Sequence, residues 1–324
     1  MNKKILVTGG SGFIGTYLVQ DILDQGHDVV IYDKAMSTDF PDRCIQADVR
    51  DRDKLTKSLS GMDVVFNLAA EHRDDIQPVS LYYDVNVGGA QNLVHACEQN
   101  NIKHIIFTST VALYGLNAGI PNENSPIKPF NDYGKSKHQS ESVFQAWVRE
   151  NVDRSLTIVR PTVIFGEKNR GNVFNLLNQM ASGKFIMVGS GENKKSMGYV
   201  CNLSKFLTLT VNNEPGTHVF NYTDQPDFTM NELVKLVNQT LSNGSSSSFR
   251  LPYAIGLAGG YMFDALAKVM GKQLPISAIR IKKFCANTMI EGEKVRQTGF
   301  VSPYTLEEGL QRMIEHEFGV KRET

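Results

Sequence analysis

A tyrosine and a lysine four residues apart, Tyr133 and Lys137 in the run YGKSK, have the chemistry of a proton-transfer pair. Residues at this spacing lie on one face of a helix. A free phenol has a pKa of about 10 and is a poor base at neutral pH, but a nearby ammonium favours the phenolate. Tyr133 would then take a proton from a substrate hydroxyl while hydride leaves the same carbon. The same spacing also occurs on ordinary surface helices, so its meaning depends on its surroundings.

Hydroxyl groups precede this pair in the run FTST, residues 107–110. The run closes a predicted fifth strand and brings its hydroxyls to the carboxyl edge of a sheet. Thr110 is the best placed of them to hydrogen-bond the reacting oxygen. The alternative is a β-branched residue that merely closes a strand.

The chain begins with a phosphate-binding pattern, MNKKILVTGGSGFIG. A predicted strand leads into Gly9, Gly12 and Gly15, and a predicted helix starts at Phe13 and Ile14. Gly9 allows the tight turn, Gly12 lets a pyrophosphate approach the backbone, and Gly15 lets the helix pack close to the strand. The free N–H groups and positive dipole end of the helix favour phosphate. A bound dinucleotide is predicted.

Acidic and small residues at later strand ends predict which dinucleotide is bound. Asp33 ends the second strand, where a carboxylate accepts hydrogen bonds from ribose hydroxyls and repels a 2′-phosphate. This favours NAD over NADP, although Lys34 alongside weakens the preference. Asp48 and Val49 follow the next strand, and Asp48 either meets the adenine or caps a helix. The small residues of NLAA leave room for ribose and phosphates or reflect ordinary tight packing; its binding candidates are Leu68, Ala69 and Ala70.

Strand-like and helical segments alternate through the first half, which predicts an α/β fold with a doubly wound parallel sheet of the Rossmann type. The predicted strands are Lys4–Thr8, Asp28–Tyr32, Val64–Ala69, His104–Ser109 and Leu156–Arg160. We expect a nucleotide-binding domain over 1–165, to which 199–224 returns. A smaller C-terminal α/β substrate region is predicted over 166–198 and 225–324, with a flexible loop at Asn243–Ser248.

Composition excludes several classes of function. Lys plus Arg and Asp plus Glu number 34 each, so the chain lacks the net positive charge that is typical of nucleic-acid-binding proteins. Four scattered cysteines and seven histidines show no metal-ligand spacing, which predicts a cytoplasmic protein with no metal. The most apolar stretch, Leu251–Phe263, stops at Asp264, and the longer segment Leu251–Met270 is too short and too interrupted to span a bilayer. With Lys268 and Lys272 it suits a peripheral membrane contact, or else it is a buried helix.

Five motifs occur in the order seen in extended short-chain dehydrogenase/reductases, the sugar epimerases and dehydratases, which the chain resembles along nearly its whole length: TGGSGFIG, NLAA, STVALYG, YGKSK and RPTVIFG. The resemblance implies NAD as cofactor and a catalytic set of Thr110, Tyr133 and Lys137. It also implies Pro161 and Val163 beside the nicotinamide. The dehydratases carry Asp-Glu after the threonine, whereas Val111-Ala112 stands here, so epimerisation is expected. A net dehydrogenase or reductase and a non-catalytic NAD-binding protein are the alternatives.

Further segments, among them SLYYDVNV and GSGENKKSMGYV, resemble 4-epimerases of N-acetylglucosamine carried on undecaprenyl diphosphate, in O-antigen synthesis, or on UDP. This implies a polyprenyl-linked or UDP-linked amino sugar as substrate, reached in the first case at the cytoplasmic face of the inner membrane. It also implies substrate-binding residues in the later part of the chain. Asn172 and Lys195 match diphosphate-contacting positions, Arg170 lies in the region that covers the sugar and diphosphate, and Arg280 lies near a further contact; each is alternatively a solvated side chain.

The resemblance further implies a homodimer built on helices Gly88–Gln99 and Tyr133–Arg149. Four apolar residues serve that interface or the internal core: Val94, Phe144, Trp147 and Val148.

Overall fold

The computed structural model describes residues 2–73, 76–116, 118–241, 250–270 and 277–319 of the 324-residue chain. Its strands are β1 Lys4–Thr8, β2 Asp28–Asp33, β3 Cys44–Gln46, β4 Val64–Asn67, β5 His104–Thr108, β6 Ser155–Pro161, β7 Val163–Phe165, β8 Met187–Val188, β9 Lys194–Tyr199, β10 Gly216–Tyr222, β11 Asp224–Thr229 and β12 Arg250–Leu251. Its helices are α1 Phe13–Asp24, α2 Arg52–Ser58, α3 Ser80–Tyr82, α4 Gly89–Gln99, α5 Asp132–Arg149, α6 Asn172–Ala181, α7 Val200–Leu209, α8 Met230–Thr240, α9 Tyr253–Met270, α10 Ala278–Cys285, α11 Glu293–Gln297 and α12 Leu306–Phe318.

The chain divides into two units, and unit 1 is built on a parallel sheet. Unit 1 comprises Met1–Ile164, Val200–Thr223 and Ile290–Pro303. Among the described residues, seven strands pair in the order β10-β6-β5-β4-β1-β2-β3, each parallel to its neighbours. The order reverses beside β1, and in such sheets ligands bind at the carboxyl ends next to that point. The predicted α/β fold with a doubly wound parallel sheet is confirmed.

Helices cover both faces of this sheet, which explains the continuous apolar run inside β1. Alternate residues of a strand point to opposite faces. Ile5 and Val7 belong to the core beneath α1 and α7, whereas Leu6 belongs to the core beneath α4 and α5. A strand buried on both faces reads as a continuous apolar run, and this is the pattern seen in β1.

The helix pair predicted to form a dimer interface supplies much of the second core. Phe144, Trp147 and Val148 of α5 are buried against the sheet of their own chain, and Val94 of α4 packs at the edge of the same core. Of the two roles the sequence allowed for these four residues, the structure shows the internal one. Their side chains are therefore not a free apolar surface.

Unit 2 comprises Phe165–Tyr199, Asp224–Met289 and Tyr304–Thr324. Strands β9 and β11 pair antiparallel, and β8 and β12 pair parallel. Capping boxes start α8 and α12, in which Thr229 and Thr305 pair with the glutamates three residues later. Among the described helices of the chain, none is long and apolar enough to cross a membrane.

The boundaries of the two units differ from the prediction in one segment. The sequence assigned Ile290–Pro303 to the substrate region, but the structure places it in unit 1. The reason is burial, because Val295 lies in the sheet core and the ring of Phe300 contacts Phe206. The predicted loop Asn243–Ser248 lies outside the described residues.

Candidate active site

The carboxyl edge of the unit 1 sheet gathers the predicted cofactor residues. Gly9 follows β1, Asp33 ends β2, and Pro161 ends β6. The sequence predicted that β4 continues through Ala69 and β5 through Ser109, but these strands end at Asn67 and Thr108. The next residue after each strand still bonds to the neighbouring strand, since Leu68 donates its N–H to the oxygen of Thr8 and Ser109 donates to the oxygen of Val159. Both strands therefore end at the sheet edge where ligands bind in folds of this kind.

The glycine loop has no space for side chains at two of its three glycines. Gly9 has a φ of +73°, and a Cβ there would lie 2.6 Å from the nitrogen of Ala69. A Cβ on Gly15 would lie 2.4 Å from the carbonyl oxygen of Gly9. At Gly12 the one close atom is that same oxygen, at 3.2 Å, so its other side is open. Helix α1 starts directly after it, with the free N–H groups of its first turn.

Asp33 is fixed beside this loop by two backbone N–H groups. Ser11 donates to one carboxylate oxygen and Ala35 to the other, both at 3.0 Å. Carboxylate oxygens accept more than one bond each, so capacity for ribose hydroxyls remains. Lys34 does not offer an unpaired charge for a 2′-phosphate, because its Nζ lies 2.5 Å from Oε1 of Glu71. Both observations favour NAD over NADP.

Asp48 does not cap the helix that follows it. Asp51 is the N-cap of α2 and accepts a bond from the N–H of Lys54 at 3.0 Å. The carboxylate of Asp48 instead pairs with Arg50, whose guanidinium and backbone N–H hold the pKa of Asp48 below its usual range. The side chain of Val49 is buried in the core. The capping alternative is therefore wrong, and the adenine contact of Asp48 stays a prediction.

Tyr133 and Thr110 meet because the start of α5 packs closely against the 3-10 turn that follows β5. Thr110 caps the 3-10 turn Val111–Tyr114 by accepting the N–H of Ala112 at 3.1 Å. A Cβ on Gly134 would lie 3.1 Å from the carbonyl oxygen of Ala112, so α5 starts directly against this turn. Burial raises the pKa of Tyr133 to about 12, and a hydrogen bond with the Thr110 side chain opposes the rise.

Lys137 is a buried ammonium group with an aromatic neighbour. The residue is 2% exposed, and its Nζ lies 4.2 Å from the ring centre of Phe107. Within the described parts of the chain, no hydrogen-bond acceptor reaches this Nζ. Burial lowers the pKa of Lys137 to about 7, and the carboxylate of Glu141 one turn later opposes the drop. Three donor positions thus remain for a ligand.

Asn86 is a site residue to which sequence reasoning gave no role. It lies in a π-helical turn, Tyr83–Gly88, directly before α4. Its Oδ1 accepts the backbone N–H of Glu71, and its Nδ2 donates to the backbone carbonyl oxygen of Glu71 and to Oγ of Ser136. The side chain therefore joins the segment after NLAA to α5. π-Helical turns of this kind often mark functional sites.

A buried ion pair also anchors α5. Arg160, inside β6, donates to both carboxylate oxygens of Glu141 on α5, at 2.9 and 2.7 Å, and to the hydroxyl of Tyr114 at 2.8 Å. Removal of one partner of such a pair strongly destabilises a protein, because the other charge is left buried without compensation. The sequence analysis did not predict this pair, although an arginine within an apolar strand is a signal that could have indicated a buried partner.

The four predicted substrate residues of the later part of the chain lie in unit 2, in separate environments. Arg170 pairs with Glu317 at 2.6 Å, and Asn172 is the first residue of α6. Lys195 donates to the carbonyl oxygens of Lys283 and Ala286 at the end of α10, and burial lowers its pKa to about 8. These bonds from the ammonium to backbone oxygens give Lys195 a structural role that the sequence did not indicate.

The fourth of these residues, Arg280, is exposed in the first turn of α10. The helix is capped there by Ser277, which accepts the N–H of Arg280.

The residues of unit 1 fit a bound dinucleotide. The glycine cradle excludes side chains, Asp33 offers acceptors to a ribose, and the ammonium of Lys137 is buried without an acceptor. An uncompensated buried charge is costly. A ribose hydroxyl would supply the missing acceptor, as the sequence predicts for the nicotinamide end. Val163, whose side chain is 46% exposed, lies two residues beyond Pro161.

Known proteins resemble this chain over most of its length. The chain is 51% identical over 320 residues to the N-acetyl-alpha-D-glucosaminyl-diphospho-ditrans,octacis-undecaprenol 4-epimerase of Escherichia coli O157:H7, covering 98% of this chain and 96% of that protein. It is 26% identical over 295 residues to a UDP-glucose 4-epimerase of Lactobacillus helveticus, covering 84% and 83%. The solved UDP-N-acetylglucosamine 4-epimerase from Bacillus cereus shares the fold, with a TM-score of 0.76 at 22% identity over 97% and 98% of the chains.

A family model described as the NAD dependent epimerase/dehydratase family matches residues 5–222. This range contains the glycine loop, Asp33, Thr110, Tyr133 and Lys137. The chain therefore belongs to the NAD dependent epimerase/dehydratase family, and NAD is the cofactor that these residues fit.

Proposed function

We propose that this protein is an NAD-dependent 4-epimerase that converts N-acetylglucosaminyl-diphospho-undecaprenol to the N-acetylgalactosaminyl form. The observation that carries the proposal is the arrangement of Thr110, Tyr133 and Lys137 at the end of β5 and the start of α5. The relative from Escherichia coli O157:H7, whose name states this reaction, supports the choice of substrate.

The residues of the chain have distinct parts in the reaction. NAD, when bound, supplies the acceptor and donor of hydride at carbon 4. Tyr133 takes the proton of the 4-hydroxyl and later returns it, while Thr110 hydrogen-bonds the same oxygen. The ammonium of Lys137 favours the phenolate, which is needed because burial raises the pKa of Tyr133 to about 12. The 4-keto sugar rotates in the pocket and presents its opposite face, so the returning hydride inverts the configuration of carbon 4.

Dehydration is not part of the proposal, because no acid and base follow Thr110. Val111 and Ala112 begin the 3-10 turn there. Glu141, a buried carboxylate on the same helix as Tyr133, has both oxygens bonded to Arg160. Elimination of water needs a positioned proton donor and acceptor near carbons 5 and 6 of the sugar. Redox at carbon 4 followed by return of hydride requires neither.

Product analysis with two substrates tests this proposal. Purified protein is incubated separately with N-acetylglucosaminyl-diphospho-undecaprenol and with UDP-N-acetylglucosamine, and the product sugars are identified after hydrolysis. We expect N-acetylgalactosamine chiefly from the lipid-linked substrate, without added NAD being consumed. Conversion of UDP-N-acetylglucosamine alone would reassign the substrate, and a stoichiometric yield of NADH would indicate a dehydrogenase.

A lipid-linked substrate requires the enzyme to reach a bilayer, and α9 supplies a suitable surface. Along this 18-residue helix only Gly256 and Gly260 are buried, while Met262 and Val269 are 73% and 85% exposed. Helix α10 lies against it, and Lys282 on α10 donates to the hydroxyl of Tyr261. Exposed apolar side chains with adjacent cations fit the interface of an anionic membrane. The buried-helix alternative is wrong for α9, and Lys272 lies outside the described residues.

We also propose that the enzyme is a homodimer in which α4 and α5 take part. The sequence resemblance supports this, although Phe144, Trp147 and Val148 serve the internal core. Light scattering at micromolar concentration tests it, with twice the chain mass as the expected result. The mass of a single chain would contradict it.

A further inference from the structure

An ion pair between Lys34 and Glu71 joins two segments that leave the sheet on opposite sides of the glycine loop. Lys34 follows β2 directly, and Glu71 follows β4 by four residues. In the sheet, β1 lies between β4 and β2. Neighbouring strands are about 4.8 Å apart, so the two segments leave the sheet about 10 Å from each other. The Nζ–Oε1 distance of 2.5 Å closes this gap.

Both ends of the bridge are held in place. The carbonyl oxygen of Lys34 accepts a bond from Nε2 of Gln46 at 3.1 Å. Both backbone groups of Glu71 are bonded to the side chain of Asn86, at 2.8 and 3.1 Å. The tip of the glycine loop is tied to the same frame, since Ser11 donates its N–H to Asp33 and its hydroxyl to the oxygen of Ala35.

The two charges differ in exposure. The side chain of Glu71 is 11% exposed, whereas that of Lys34 is 68% exposed. A buried carboxylate requires a partner. The side chain of Lys34 therefore reaches towards Glu71 across the carboxyl end of β1, where the glycine loop begins. Neither residue is among those to which the proposed mechanism gives proton transfer, and neither belongs to the hydrophobic cores of the sheet.

We propose that the Lys34–Glu71 pair is a clasp that closes over the NAD bound at the glycine loop and slows its release. In an enzyme that returns hydride to its own substrate, the cofactor must stay bound between the two half-reactions. The ion pair between exposed Lys34 and buried Glu71 would retain NAD without contacting the reacting carbon. It depends on bound NAD and not on which sugar is epimerised.

The test measures release of NAD without any sugar present. Protein loaded with NAD is passed into NAD-free buffer, and released NAD is captured by alcohol dehydrogenase with ethanol and followed as NADH absorbance. The variants are Lys34→Met, Glu71→Gln and the double variant. The matched control is the ion pair Lys103–Asp153, at 3.0 Å before β5 and β6, tested as Lys103→Met and Asp153→Asn. Circular dichroism checks that every variant is folded.

We expect each single variant to release NAD about two- to fivefold faster, the range for an ion pair with one exposed partner. The double variant should be no faster than the singles, and about 1 M salt should bring the wild-type rate towards theirs. The control variants should match the wild type.

Glu71→Gln is the decisive variant, because it removes a negative charge near an anionic cofactor. Simple attraction between Lys34 and phosphate predicts slower release, whereas the clasp predicts faster release. A Glu71→Gln rate equal to or below that of the wild type would overturn the proposal, as would additive effects in the double variant.

Discussion

At the scale of single residues, the site places two groups where burial opposes the charged form of each, the phenolate of Tyr133 and the ammonium of Lys137. The pKa of Lys137 falls to about 7 and that of Tyr133 rises to about 12, in each case chiefly through desolvation. Both shifts follow from packing and could not be derived from the YGKSK motif. The motif predicted which residues act and that they share a face of the helix, and the tertiary structure sets how strongly each holds its proton.

Tyr133→Phe removes the proton acceptor and keeps the ring. We expect turnover to fall by about 10²–10⁴-fold, the usual contribution of general acid–base catalysis. Folding and NAD binding should be largely retained, because the phenol is not part of the buried ion pair that anchors α5. Steady-state rates and NAD content of the purified variant provide the measurement. Activity near that of the wild type would remove Tyr133 from the mechanism.

Lys137→Met should weaken both NAD binding and turnover yet stabilise the cofactor-free protein. The folded-state pKa of about 7 lies below that of the unfolded chain, so the buried charge is most costly below pH 7. Between about pH 7 and 10.5 the unfolded state binds more protons, and wild-type stability should rise towards that of the variant. Urea denaturation at pH 6 should show a difference on the order of 2 kcal/mol, smaller at pH 9. A pH-independent difference would contradict the account.

At the scale of elements, the glycine loop and the start of α1 were predictable because their chemistry is local. The spacing of Gly9, Gly12 and Gly15 after an apolar strand encodes a turn whose geometry the structure shows. The π-helical turn Tyr83–Gly88 was not predicted, since it depends on the long-range bonds of Asn86 to Glu71 and Ser136. The predicted strands ran one or two residues past the observed ends of β4 and β5, because the strand-like composition continues beyond Asn67 and Thr108.

Gly15→Ala tests the close approach of α1 to the loop. The added Cβ would lie 2.4 Å from the carbonyl oxygen of Gly9, so the helix start must move. Overpacking of this kind costs about 1–3 kcal/mol, and we expect NAD affinity to drop by about 10–100-fold. Gly88→Ala is the matched control, since its nearest atom lies 3.9 Å away. Equal NAD titrations for both variants and the wild type would contradict the assigned role of the loop.

At the scale of the whole molecule, composition and alternation predicted the fold, and the resemblance supplied the reaction. The return of Ile290–Pro303 to unit 1 was missed because a short buried segment such as that around Val295 carries no periodic signal. The contacts of Arg170 with Glu317 and of Lys195 with the end of α10 could not be predicted either, because these partners are distant in sequence.

The exposed face of α9 gives a test of membrane contact for the whole protein. The double variant Met262→Gln/Val269→Gln removes two strongly exposed apolar groups. We expect binding to anionic phospholipid vesicles to weaken by about tenfold or more, in line with the apolar area lost. Val152→Gln, at a 90% exposed position in unit 1, is the control and should bind as the wild type. Equal sedimentation of all three proteins with vesicles would assign the contact to another surface.

The most direct test of the proposed reaction follows a deuterium label at carbon 4 of N-acetylglucosaminyl-diphospho-undecaprenol. Mass spectrometry of the sugar released from the product reports both its identity and its label. We predict N-acetylgalactosamine that retains the deuterium, with no added coenzyme required and with turnover lost in Tyr133→Phe. Loss of the deuterium to solvent, or no conversion of the lipid-linked sugar, would contradict the account.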